Sequence, residues 1–158
     1  MQNLKLTNLE IKMISDYKLT PGSQMALHRD LFLFSYYVGG LRLSDILTLK
    51  WGNFDGTNIH FYSSKSNSPS IISLSEEALT IISKYSHYDK KDKYIFPVLA
   101  GWVDDHEIEN INKVIPFVTK LINTNLNTIA RIAGIEKNLS YHVSRRVLRS
   151  KAMDAFND

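Results

Sequence analysis

The 158-residue sequence contains no cysteine. This absence excludes a disulfide framework and thiolate metal sites, and it is typical of proteins from the reducing cytoplasm. The first residues, Met1–Lys5, lack the apolar core of a signal peptide, and no apolar run approaches membrane-spanning length. We therefore expect a cytoplasmic protein.

Acidic side chains are missing from residues 137–153, which carry five lysines or arginines. Residues 86–110, in contrast, carry six acidic side chains and three lysines. The formal net charge of +3 is modest, so the distribution of charge is more informative than its total. A concentrated basic patch on a weakly charged protein indicates one face that binds anions, nucleic acid among them.

Internal repeats and linker-like stretches are also lacking, and the length suits one domain. The hydrophobic content of 44% and the charged content of 22% are ordinary for a globular protein. The apolar pattern predicts a mainly helical α+β fold with a small three-stranded antiparallel sheet. The strands are expected from residue 51 onward, around a turn at 55–56, and then near 59–62 and 71–74.

A long helical pattern covers residues 105–133, with a proline inside it and a glycine directly after it. Pro116 is a candidate break, because proline lacks the amide hydrogen that a helix interior needs. Gly134 is expected to end the helix, with Ile135 as the hydrophobic contact that follows.

Arg42 follows Gly39 and Gly40, which are expected to end a helix. It precedes Ser44, the expected N-cap of a short helix, so it lies in the turn between two helix ends. A charged side chain flanked by leucines in a tight turn is costly to desolvate unless an anion meets it. Asp45, three residues later, is the expected partner.

The basic segment at residues 140–151 is expected to form a helix with Ser140 at its N-cap. His142 and Arg145 are three residues apart and therefore share one face of that helix. A guanidinium offers a bidentate fork and an imidazole a titratable donor, so the pair suits a phosphate. The alternative is a solvated basic helix face.

Lys65 lies in a polar stretch, residues 63–69, between two predicted strands. We therefore expect it at the exposed and mobile tip of a hairpin. A functional lysine and an ordinary solvated loop lysine both fit this placement.

Taken together, these positions resemble the catalytic domain of the tyrosine recombinases, the phage integrase family. The resemblance rests on the first arginine segment, the hairpin lysine, a Tyr-Ile-Phe-Pro segment and the helix entry, which lie at residues 39–45, 65, 94–97 and 141–145. Order and spacing agree along almost the whole chain. A His-x-x-Arg by itself would carry no weight, whereas four segments in register are fairly specific.

Two features depart from the family's pattern. Arg146 stands where the family often has a histidine, at a supporting position. The family's nucleophilic tyrosine lies farther beyond the second arginine than Asp158, the last residue here. We expect that these residues do not include the family's N-terminal DNA-clamping domain either. We therefore interpret residues 1–158 as a single catalytic (DNA breaking-rejoining) domain fragment, which is expected to be inactive by itself.

The resemblance implies that a tyrosine attacks a DNA phosphodiester to give a 3′-phosphotyrosine and a free 5′-hydroxyl. Arg42 and Arg145 would each hold one non-bridging oxygen of the pentacoordinate transition state. His142 would bind an oxygen or help to remove the proton of the tyrosine. Lys65 would protonate the leaving 5′-oxygen. We expect no metal and no other cofactor, because these side chains supply the necessary charge.

Other side chains are expected to support this site. Asp45 would orient Arg42. Tyr141 is adjacent to His142 at the helix start and is not expected to be the nucleophile. Further basic residues of the last helix would clamp DNA phosphates without reading bases; they are Arg146, Arg149 and Lys151. Four histidines are expected at the surface or in the packing: His28, His60, His87 and His106.

The predicted function is site-specific DNA recombination or integration for a mobile element or a phage. The predicted partner is DNA, with a tetramer on DNA for the intact protein and a monomer or weak dimer for the fragment. Three alternatives stay open at this point. They are a DNA-binding module that does not cut (a naturally shortened relative, or this fragment as it stands), a type IB topoisomerase, and an unrelated helical protein with a basic patch.

Overall fold

The computed structural model describes residues 5–86, 91–100, 102 and 108–145. Its helices are α1 (Asn8–Asp16), α2 (Gln24–Tyr37), α3 (Leu43–Leu47), α4 (Glu76–Ser83), α5 (Ile108–Ile132) and α6, whose described part is residues 141–145. An antiparallel hairpin of β1 (Asn58–Ser63) and β2 (Ser68–Ser73) lies between α3 and α4. The predicted mainly helical α+β fold is confirmed. None of the described helices is long and apolar enough to cross a membrane.

Side-chain caps mark the first turns of three helices. Thr7 and Glu10 form a capping box at α1, in which the Glu10 amide donates to the Thr7 hydroxyl (3.1 Å) and the Thr7 amide donates to the Glu10 carboxylate (2.9 Å). Ser23 caps α2 with a single bond, in which its hydroxyl accepts from the Ala26 amide, and Ser75 caps α4 through the Ala78 amide. Each such cap stabilises its helix by about 1 kcal/mol. The helix starts therefore follow from short sequence patterns.

Helix α2 is the central helix of the fold, as its wide apolar surface predicts. Its side chains Leu31, Phe32 and Phe34 are completely buried, and the helix packs against α1, α4 and α5. Burial of each such side chain stabilises the fold by about 1.5–3 kcal/mol. The C-terminal end of α2 is thereby held in place, and Arg42 follows it after a short loop, residues 38–41.

The sheet has two strands in the part of the chain that the structure describes, so the prediction of a three-stranded sheet is wrong. The chain forms a 3-10 turn over Trp51–Asn53 where the first strand was expected. Side chains of this segment bind its own amides: the Asn53 side chain accepts from the Lys50 amide (2.7 Å), and the Asp55 carboxylate accepts from the Asn58 amide (2.7 Å). These local bonds favour a turn over the strand that was expected from residue 51.

Two predicted helix boundaries are also corrected. Helix α5 continues through Pro116 without a break. Its apolar face, which includes Val118 and Ile122, is buried in the core, and that burial outweighs the roughly 3 kcal/mol cost of an interior proline. Helix α3 begins two residues earlier than expected, with Arg42 rather than Ser44 at the N-cap position and with no side-chain cap.

Gly134 ends α5, as its position predicts. Its φ is 87°, and the Ile135 amide donates to the Ala130 carbonyl (2.8 Å), which closes the last helical turn. Ile135 is buried, so the chain turns back to the core before α6 begins.

His28 is a packing histidine, in agreement with its expected role. It lies in α2 with 1% of its surface exposed, and its Nδ1 is 3.0 Å from the Asn125 side-chain amide of α5. Burial lowers the pKa of His28 to about 4. At pH values between about 4 and about 6.5, the unfolded chain therefore binds a proton at His28 that the folded protein does not bind.

We predict that the free energy of unfolding falls as the pH is lowered from about 6.5 to about 4, with His28 contributing up to about 3 kcal/mol. The substitution His28→Gln removes this contribution. His60→Gln retains it and shows separately the effect of losing an exposed histidine, whose Nε2 is 2.6 Å from the Asp55 carboxylate. Urea unfolding at about pH 7.5 and about pH 4.5 measures the difference. An equal loss of stability in the wild type and in His28→Gln would contradict this explanation.

Candidate active site

Two glycines at the end of α2 shape the loop that carries Arg42. Gly39 and Gly40 have φ values of 92° and 87°, a left-handed conformation that glycine adopts readily. The Gly40 amide donates to the Ser35 carbonyl (2.9 Å), which closes the last turn of α2 as expected. The Arg42 side chain that follows is exposed and forms no ion pair or hydrogen bond with another described residue. Its guanidinium is available to a ligand.

Tyr141, at the start of α6, anchors this loop from the other side. Its phenol is 4% exposed and donates to the carbonyl of Leu41 (2.6 Å), the residue just before Arg42. Burial raises the pKa of this phenol well above its usual value near 10, although the positive charge of Arg145 acts in the opposite direction. The hydroxyl therefore stays protonated and serves as a structural hydrogen-bond donor.

Two completely buried serines join α2 to α6 beside this contact. The Ser144 hydroxyl lies 2.9 Å from the Ser35 hydroxyl and 2.7 Å from the Tyr141 carbonyl oxygen. The Ser35 hydroxyl also accepts from the Leu41 amide (3.3 Å). Buried hydroxyls are costly unless they are paired. The pairing therefore favours one arrangement of the two helix ends.

Gly40 packs directly against Arg145. A Cβ atom at position 40 would lie 3.0 Å from the Arg145 Cα, so a larger residue would require the two backbones to move apart. Arg42 is two residues farther on, which places its Cα within roughly 12 Å of the Arg145 Cα. The two side chains can therefore reach one small ligand. We call the group that makes this contact the arginine junction; it consists of Ser35, Gly40, Leu41, Tyr141 and Ser144.

Arg145 has an unused hydrogen-bond donor. The residue is half-buried, and its Nε is buried with no hydrogen-bond partner among the described residues. A buried donor without a partner costs about 1–3 kcal/mol. An anion bound by the guanidinium would offset this cost. Arg145 and Arg42 together therefore suit a phosphate group.

Two asparagines of α5 hold the entry to α6. The Asn123 side chain accepts from the Tyr141 amide (2.9 Å), and the Asn127 side chain accepts from the Leu139 amide (2.7 Å). Sequence reasoning missed both residues. One signal was available in the sequence. Asparagine is a poor helix former, yet it occurs at 123, 125 and 127 within α5, which indicates that these side chains have another role.

The other two predicted catalytic residues lie at the surface. His142 is exposed on α6, one residue after Tyr141 and three before Arg145. Lys65 is exposed in the turn between β1 and β2, as predicted. The structure therefore brings Arg42 and Arg145 together through the junction and carries His142 on the same helix as Arg145. Lys65 is on a separate element.

The expected ion pair between Arg42 and Asp45 is not formed within the described chain. Asp45 is half-buried in α3, whereas Arg42 is exposed, and an ion pair at such an exposed position gains little. Burial and, to a lesser extent, the charge of Asp45 raise the pKa of the Tyr141 phenol, so Asp45 lies near the junction. Its predicted orienting role therefore involves no direct contact with Arg42 in this structure.

Several predicted positions fall outside the described residues. They are Arg146, Arg149, Lys151, His87 and His106. The phosphate-clamping role assigned to the first three stays a prediction. Within residues 5–86, 91–100, 102 and 108–145, no group of histidine, aspartate and glutamate side chains is arranged to hold a metal ion.

The phage integrase family model matches residues 5–153 of this sequence. The chain belongs to the phage integrase family. The resemblance to this family is thereby confirmed. A crystal structure of XerA recombinase matches the fold with a TM-score of 0.63 and 18% sequence identity, over 98% of this chain and 50% of that chain. This chain thus spans half the length of the XerA chain. No curated protein sequence matches it.

We predict that Gly40→Ala destabilises the fold more than Gly39→Ala does. Both glycines have left-handed backbone angles, so either substitution costs about 1–2 kcal/mol in backbone strain. A Cβ at Gly39 meets no atom within 4 Å, whereas a Cβ at Gly40 presses on Arg145 and adds about 1–3 kcal/mol. Urea unfolding of both variants measures the difference. Equal destabilisation would contradict the close packing of Gly40 on Arg145.

Proposed function

We propose that this member of the phage integrase family acts in site-specific DNA recombination or integration, and that it breaks and rejoins DNA strands through a 3′-phosphotyrosine intermediate. The observation that carries the proposal is the arginine junction. It brings within roughly 12 Å the Cα atoms of two arginines that have no anionic partner in the described chain. Membership of the family supports the same reaction.

The two arginines match the charge that develops in this reaction. A phosphodiester attacked by a hydroxyl passes through a pentacoordinate state with negative charge on its two non-bridging oxygens. Arg42 and Arg145 are permanently charged and carry forked donors, so each would bind one of these oxygens. Because the folded junction holds their backbones before DNA binds, little reorganisation accompanies the reaction.

His142 and Lys65 would handle the protons. His142 would donate to a phosphate oxygen or take the proton of the attacking tyrosine, because an imidazole titrates near neutral pH. Lys65 would protonate the leaving 5′-oxygen, and its exposed position at the hairpin tip supports that role. Asp45, half-buried near the junction, would stabilise the loop that carries Arg42.

Tyr141 is unsuited to attack DNA. Its phenol is buried, donates to the Leu41 carbonyl and is harder to deprotonate than an ordinary tyrosine. We propose that the attacking tyrosine is none of the eight tyrosines in these 158 residues. This chain would then bind the scissile phosphate without cleaving the strand by itself.

The proposal extends to the assembly on DNA. Residues 1–158 would act as one catalytic domain, and the intact protein would work as a tetramer on DNA in the cytoplasm. This segment alone would be a monomer or a weak dimer. Basic residues after Arg145 would clamp neighbouring phosphates and contribute a salt-dependent affinity; they are Arg146, Arg149 and Lys151.

We predict that orthovanadate increases the affinity of this chain about tenfold for a nicked duplex with 3′- and 5′-hydroxyl ends. Vanadate bridges the ends in a pentacoordinate form that mimics the transition state, and a catalytic site binds such a mimic more tightly than its substrate. The variants Arg42→Ala and Arg145→Ala lose this increase. Fluorescence anisotropy with a random-sequence duplex at fixed salt measures it.

The matched control is Arg131→Ala, which removes an exposed arginine from the last turn of α5. It is expected to keep the increase that vanadate produces. If vanadate leaves the affinity of the wild-type chain unchanged, while the DNA still binds, the chain is a phosphate-binding module rather than a catalytic domain.

A further inference from the structure

The turn that carries Lys65 is closed by its own hydrogen bonds. β1 and β2 face each other at Ser63 and Ser68, so residues 64–67 form the turn. The Asn67 amide donates to the Ser63 carbonyl (2.9 Å), and Asn67 has a φ of 53°, a left-handed angle that asparagine tolerates. Lys65 itself is exposed and has no hydrogen bond or ion pair with another described residue.

Side-chain hydroxyls add three contacts to this turn. The Tyr62 phenol donates to the Asn67 carbonyl (2.6 Å). The Ser66 and Ser68 hydroxyls lie 2.7 Å apart, and the Ser66 amide donates to the Ser63 hydroxyl (3.4 Å). The Tyr62 bond is the shortest of the three and spans five positions of the chain. It therefore ties β1 to the far end of the turn.

The hydroxyl of Tyr62 has a clearer role than its ring. The side chain is 61% exposed and lies opposite Pro69 on the sheet, so the ring adds little to the core. Its hydroxyl binds the carbonyl of Asn67, whose amide is already bound to Ser63. Both backbone polar groups of Asn67 are thus tied to β1, which restrains the backbone beneath Lys65 and leaves the lysine amine accessible.

We propose that Tyr62 is a positioning residue for Lys65, and that its phenol restrains the turn so that the lysine amine meets the DNA backbone in one place. This inference rests on the proposed function. In that reaction the bond from phosphorus to the 5′-oxygen breaks, the electron pair stays on the oxygen, and the Lys65 ammonium gives that oxygen a proton. Tyr62 touches neither the phosphate nor the leaving oxygen. It affects only the fraction of time for which the Lys65 amine is positioned at the leaving 5′-oxygen.

The test uses Tyr62→Phe, which removes the hydroxyl and keeps the ring. Its matched control is Tyr17→Phe, the same change at another exposed tyrosine whose hydroxyl has no partner in the described chain. Each protein is bound to a random-sequence duplex that contains an abasic-site aldehyde. The Lys65 amine condenses with the aldehyde and releases water, and borohydride reduces the imine to a stable adduct. Peptide mass mapping then assigns the adduct to its lysine.

In Tyr62→Phe the Lys65 adduct is expected to form about three- to tenfold more slowly, the scale of one lost hydrogen bond. Hydrogen exchange at the Asn67 amide is expected to accelerate by a similar factor. The affinity for DNA is expected to stay within about twofold of the wild type, because no phosphate contact is lost. Tyr17→Phe is expected to match the wild type in all three measurements.

Wild-type adduct formation in Tyr62→Phe would overturn the proposal and leave the role of Lys65 intact. A loss of DNA affinity that parallels the loss of adduct would also overturn it, because Tyr62 would then contact DNA itself. Absence of any adduct at Lys65 in the wild-type protein would overturn both this proposal and the function assigned to Lys65.

Discussion

The site depends on a buried contact between the end of α2 and the start of α6. The Tyr141 phenol donates to the Leu41 carbonyl, and the hydroxyls of Ser35 and Ser144 pair beside it, all out of reach of water. Separating the two segments would leave these polar groups buried and unpaired, at a cost of about 1–3 kcal/mol each. The contact therefore sets the spacing of the two arginines that follow it.

The hydrophobic core supports this contact from several directions. Helix α2 packs against α1, α4 and α5, and α5 supplies the Asn123 and Asn127 side chains that hold the chain entering α6. Arg42 and Arg145 thus stand on a rigid base formed by elements far apart in sequence. Lys65 stands on an exposed turn with only local hydrogen bonds. The core thus holds the two phosphate-binding charges before DNA binds, whereas local hydrogen bonds, the Tyr62 bond among them, restrain the proton donor at the surface.

Sequence patterns predicted the features that depend on neighbours along the chain. The Gly39–Gly40 stop, the Gly134 stop and the position of Lys65 in a hairpin turn each follow from a few adjacent residues. The junction could not be predicted in this way, because Ser35 and Ser144 are 109 positions apart and each resembles an ordinary helix serine. The strand expected from residue 51 was predicted wrongly, because the sequence pattern did not show that the Asn53 and Asp55 side chains would bind the backbone amides of a turn.

The central claim is that the junction directs Arg42 and Arg145 to the same phosphate. A double-mutant cycle with Arg42→Ala, Arg145→Ala and the double variant tests it most directly, with duplex DNA affinity measured at fixed salt. Two arginines on one phosphate predict a coupling energy above about 0.5 kcal/mol, because removing either one weakens the site that the other uses. Additive losses, within about 0.3 kcal/mol, would contradict the claim and indicate that the two arginines bind separate phosphates.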